Sequence, residues 1–113
     1  MDWLKNLLGG PTVPEIPARD AQQRQKDGAL LVDVREPHEW RSGHAPNAKH
    51  IPLGQLSQHL PTLPREREIL FICRSGNRSG QATAQARNAG LSATNVSGGM
   101  IAWAGAGLPV QRG

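Results

Sequence analysis

The chain has 113 residues, 37% hydrophobic and 19% charged, which suits one globular domain with a core of its own. Its net charge of +4 and pI near 10.2 favour anionic partners. The basic residues are scattered among only four aromatics, which argues against nucleic-acid binding.

A single cysteine cannot form an internal disulfide, so nothing points to an oxidising compartment. No apolar run approaches the ~20 residues needed to cross a bilayer. "MDWLKNLLGG" sets Trp3, Leu4, Leu7 and Leu8 at helical spacing, without a signal peptide's uninterrupted apolar core. Residues 1–10 thus read as an amphipathic segment or tail, residues 11–113 as the domain, and the expected location is cytoplasmic. A surface anchor or docking turn and a helix lying on the domain both stay open for that start.

In chain order, "TVPEI" predicts a short edge strand, since Pro14 suits an edge. Pro17 at a helical first turn opens "ARDAQQRQKDG", an exposed helix stopped by Gly28. "ALLVDV" (29–34) is too short for a helix and reads as a strand covered on both faces. "REPHEWRSGH" gives one or two helical turns between Pro37 and Gly43. "AKHIPL" gives a short strand, and "GQLSQHL" a short helix ended by Pro61.

"EILFIC" is the second buried strand. Ser79 to Asn88 is the clearest helix, with Ala82, Ala86 and Ala89 on one face and Gly90 as stop. "ATNVSGG" predicts a last strand and turn, and "MIAWAGAG" a final helical piece before Pro109. Strands alternating with helices imply an α/β fold with a mainly parallel sheet of about five strands.

The chemistry gathers where the second buried strand ends. In parallel sheets, ligand sites lie beyond the carboxyl ends of strands, where helices begin. Cys73 stands there, followed by "RSGNRS" and a helix N-terminus whose free N–H groups favour a thiolate or an anion. Arg74 and Arg78 add positive charge. Gly76 permits the positive φ that curls N–H groups inward, while Ser75, Asn77 and Ser79 can cap the helix or bind an anion. The reading left open against this is that of a lone cysteine as inert packing. For the functional reading the pattern requires a sulfur that is charged and exposed at neutral pH.

"CRSGNRS" resembles the active-site loop of rhodanese-like sulfurtransferases. "LVDVREPHEWRSGHAPNAKHIPL" resembles the family's DVRE to IP block, and "VSGGMIAWAGAGLPV" its GG-x-x-x-W to GLP ending. The resemblance spans roughly residues 14 to 110 and implies a compact single-domain rhodanese fold. It implies that Cys73 carries a sulfane sulfur as a persulfide, cradled by the N–H groups from Arg74 through Ser79. Thiosulfate is the usual test donor, and cyanide or a thiol the acceptor. No cofactor or metal is expected, and the expected partners are a small anionic sulfur donor and a protein that gives or takes sulfur.

Arg74 and Arg78 are candidate substrate contacts, with pairing to nearby acids as the alternative for each. Asp33 and Arg35 of "DVRE" are expected in supporting roles, satisfying loop backbone or each other. Larger members of the family hold thiosulfate with an arginine where this chain has Glu39, which weakens the expectation of efficient thiosulfate use. His44, Trp40 and Trp103 read as packing or capping residues.

Two rivals remain. A cysteine-dependent phosphatase also sets a thiolate before a helix, but its motif has five residues between Cys and Arg. Cys73 and Arg78 are separated by four, a tighter ring suited to one sulfur. The other rival is a relay module that hands its persulfide to a partner protein.

Overall fold

The computed structural model describes residues 12–113. The expectation for residues 1–10 lies outside them. Five strands carry the described chain: β1 (Glu15–Ile16), β2 (Leu30–Asp33), β3 (Lys49–His50), β4 (Ile69–Ile72) and β5 (Ala93–Val96). All neighbours pair in parallel, in the order β1-β5-β4-β2-β3. The helices are α1 (Ala18–Lys26), α2 (Pro37–Ser42), α3 (Leu56–His59), α4 (Asn77–Asn88) and α5 (Gly99–Gly105). This is the α/β sheet the alternating pattern predicts.

Side-chain alternation along the buried strands sorts the core into two layers. Ile69, Phe71 and Cys73 project to one face, with Val32, Val34, Leu56, Ala82 and Ala86. Leu70 and Ile72 project to the other, with Leu31, Ala21, Met100 and Trp103. Cys73 therefore shares a face with α4, whose small Ser79, Ala82, Thr83 and Ala86 are buried and let it lie close on the sheet. That parity aims the sulfur at the N-terminus of α4.

Local departures from the expected elements have local causes. Pro17 is the residue capping α1 rather than its first helical residue, with ψ 161. Pro61 does not end a helix; α3 is flanked by 3-10 turns at Leu53–Gln55 and Leu60–Thr62, and Pro61 sits in the second. A proline tolerates a helical first turn because it lacks only a hydrogen that has no partner there. α4 starts at Asn77, two residues before the predicted Ser79, because Gly76 at φ 110 turns the chain into it.

The start of α5 is fastened to the Cys73 loop. Met100 N–H donates to the Cys73 carbonyl at 2.8 Å, and Ile101 N–H to the Arg74 carbonyl at 3.1 Å. Gly99 makes this approach possible: at φ 54, a Cβ there would lie 2.4 Å from the Cys73 oxygen and 2.5 Å from the Arg74 oxygen. Both obstacles are backbone, so nothing can swing aside. Gly99→Ala is expected to destabilise the fold by more than the roughly 1–3 kcal/mol of left-handed strain alone, as read from the midpoint of urea unfolding.

Candidate active site

The Cys73 sulfur accepts hydrogen bonds from Gly76 N–H at 3.1 Å and from Ser79 Oγ at 3.2 Å. The N–H groups of Ser79 and Ser75 also act on it. No side chain caps α4. The sulfur takes that part, accepting from the third helical N–H as an ordinary capping oxygen would. Burial alone pushes the thiol pKa up. The bonds from Ser79, Gly76 and Ser75 outweigh it, and the net pKa lies below the ordinary value.

One expectation needs correction. Cys73 is not exposed: only 1% of its surface meets solvent. The loop that supplies the amides curls over the sulfur, so the same contacts that stabilise charge also cover it. The loop residues themselves are at the surface: Arg74, Ser75 and Asn77 are exposed, and Gly76 and Arg78 are half-buried.

The two arginines part company. Arg78 grips Glu39 with two bonds, Nη1 to Oε1 at 2.7 Å and Nη2 to Oε2 at 2.9 Å. Glu39 is also held by the Glu36 N–H at 3.0 Å, at the opening of α2. The Arg78 bonds, opposed in part by burial and aided by the Glu36 N–H, lower the Glu39 pKa from 4.5 to about 2. The Glu39 carboxylate in turn raises the Arg78 pKa, with a smaller contribution from Cys73. Arg74 makes no ion pair among the described residues and carries its charge outward.

Asp33 and Arg35 satisfy each other. Arg35 N–H, Nε and Nη2 donate to the Asp33 carboxylate at 2.8 to 3.0 Å, and Nη2 also reaches the Gly43 carbonyl at 2.6 Å. Both residues are buried, where an ion pair holds only when its remaining donors find partners. Their bonds run to the turn after α2 and not to the Cys73 loop. His44 stacks on Trp40 at 3.5 Å between ring centres, with its Nδ1 2.9 Å from the Trp40 carbonyl. His50 stacks on Trp40 at 4.8 Å and bonds the Arg35 carbonyl through Nε2 at 2.7 Å. These contacts build the wall that carries Glu39.

The family model for the rhodanese-like domain matches residues 17–106. The chain belongs to the rhodanese-like domain family. A sulfurtransferase of Allochromatium vinosum is 39% identical over 101 residues, covering 87% of this chain and 94% of that protein. A Synechocystis protein is 43% identical over 93 residues, covering 80% of this chain; the chain spans about half, 51%, of that relative's length. The crystal structure of a rhodanese-related protein from Thermoplasma volcanium matches with a TM-score of 0.82 at 34% identity, covering 87% of this chain and 97% of that one.

Among the described residues no His, Cys, Asp and Glu cluster could hold a metal ion, and no helix is long and apolar enough to cross a membrane. Sequence reasoning missed Asn95, which lies beneath the loop. Its signal was an amide side chain inside a fully buried strand, a place where asparagine is uncommon.

Two outcomes follow from the site's electrostatics. Ser79→Ala removes a buried donor to the sulfur, so the pH midpoint of Cys73 alkylation by iodoacetamide is expected to rise by about one unit. The Glu39 pKa is depressed on folding, so its contribution to stability is complete above pH 4.5 and disappears as pH falls toward 2. Glu39→Gln is expected to flatten the fall in unfolding free energy across that window, measured by urea titration at successive pH values.

Proposed function

We propose that the chain is a sulfurtransferase that moves a sulfane sulfur through a persulfide on Cys73. The observation that carries this reading is the donor set around Cys73, which outweighs burial and favours the thiolate. In the first step the Cys73 thiolate attacks the sulfane sulfur of a donor. A new S–S bond forms, the donor's own sulfur bond breaks, and its remaining group leaves with the electron pair as sulfite or a thiolate. In the second step cyanide or a thiol attacks the outer sulfur, and Cys73 leaves as the thiolate. Covalent catalysis of this kind divides one transfer into two displacements.

The loop residues take distinct parts. Gly76 and Ser79 bond the sulfur directly, and Ser75 adds its N–H. Arg74 attracts an anionic donor, and Asn77 stands at the exposed rim. Arg78 contributes through its pair with Glu39, which leaves Arg74 as the loop's unpaired cation among the described residues. Asp33 and Arg35 act by anchoring Gly43 at the end of α2, the helix that carries Glu39.

Engagement of Arg78 favours the relay form of this reading over a phosphatase. A phosphoryl group would need a free guanidinium, and this one already has both forks on a carboxylate. Among the described loop residues a small dianion meets one unpaired arginine, Arg74, whereas a protein donor or acceptor brings contacts of its own. Its surface partner would be acidic, given the net charge of +4.

Mass spectrometry of the intact protein after incubation with thiosulfate or a persulfide donor is expected to show the gain of one sulfur atom. Cys73→Ser is expected to gain none. Hydrolysis of an aryl phosphate without any sulfur gain overturns the proposal, and loading by a partner protein alone selects the relay form.

A further inference from the structure

Asn95, on β5, is 1% exposed and shares the face of Ala93 that lies against α4. Its Nδ2 donates to two acceptors, the Gly76 carbonyl at 3.0 Å and Glu15 Oε2 at 3.0 Å. The orientation of the amide follows from those neighbours, since both accept and neither can donate. Its Oδ1, also buried, has no hydrogen-bond partner among the described residues. A leucine or valine would leave no polar atom stranded in this strand, and an orphaned acceptor is costly. An asparagine here has a local energetic disadvantage that its other end must offset.

We infer that Asn95 is a positioning residue for the Cys73 loop: by holding the Gly76 carbonyl from beneath, it keeps the Gly76 N–H aimed at the sulfur.

Gly76 is gripped at both of its backbone groups. Its carbonyl accepts from Asn95 Nδ2 and from Gly80 N–H, the latter at 3.1 Å, while its N–H reaches the sulfur at 3.1 Å. Its φ of 110 lies where a residue has little intrinsic preference to stay, so neighbours must fix it. The nearest atoms to the position a Cβ would take at Gly76 are Gly98 N at 3.4 Å, with Asn95 Nδ2 and the Val96 carbonyl oxygen each at 3.9 Å. Asn95 is the side chain in the floor on which the loop corner rests, beside backbone of Val96 and Gly98. Without its donor the Gly76 carbonyl keeps only the frayable first bond of α4. The corner then gains freedom to rotate its N–H away from the sulfur.

The functional meaning of this inference rests on the sulfur-transfer reading, but its test does not. Alkylation by iodoacetamide reads Cys73 with no sulfur donor present, so a failed donor assay and a failed positioning test are separate results. Asn95→Leu is expected to raise the pH midpoint of alkylation and to slow the reaction at neutral pH by roughly three- to tenfold. Asn95→Thr, which suits a strand, is made alongside it and is expected to shift the same way, so a leucine variant that does not fold leaves the measurement available. Glu15→Ala removes only the bond to the sheet edge and is expected to leave the midpoint where it is. An unchanged midpoint in a folded Asn95 variant overturns the inference. So does a Glu15→Ala shift as large as that of the Asn95 variants, because the effect would then run through the edge of the sheet.

Discussion

The structure turns on a contest at one atom. Burial under the loop disfavours charge on the Cys73 sulfur, and hydrogen bonds from Ser79, Gly76 and Ser75 favour it more strongly. A thiol this well covered would be inert packing without those donors. With them, cover becomes an asset, because dipoles held in place and shielded from water act on charge with little reorganisation. The loop must therefore keep a definite shape, and much of the surrounding architecture serves that need.

Three neighbours hold it. From the strand side, parity sends Cys73 and Asn95 to the face covered by α4. From the carboxyl end, α5 donates two N–H groups to the loop's first carbonyls, across a gap that only glycine at position 99 allows. From the α2 side, Glu39 fastens Arg78 and is itself fixed by the opening of that helix. The Asp33–Arg35 pair and the stacked Trp40 and His44 rings stiffen this last wall without touching the sulfur. The loop is thus braced from three elements that meet only in the folded sheet.

The pairing of Arg78 also shapes the field at the site. The loop carries two arginines, yet Glu39 cancels one of them locally. The sulfur keeps its donors, and Arg74 is the loop's arginine without an ion pair among the described residues. Electrostatic attraction for an acidic surface would act over the whole domain rather than at the loop alone.

Strand–helix alternation, the burial of β2 and β4, and the placing of Cys73 before α4 are legible along the chain. Those are local properties: apolar runs, glycine stops and a loop of fixed length read the same in any context. That Gly98 and Gly99 form a backbone turn is legible too, though not what approaches it. The tertiary structure alone decided which acid Arg78 meets, that the sulfur is covered, and that Asn95 lies under Gly76. These contacts join residues 39 and 78, or 76 and 95, whose meeting depends on how strands are ordered in the sheet. Distance along a chain carries no record of that order, so charge and exposure at the site became definite only when the sheet closed around it.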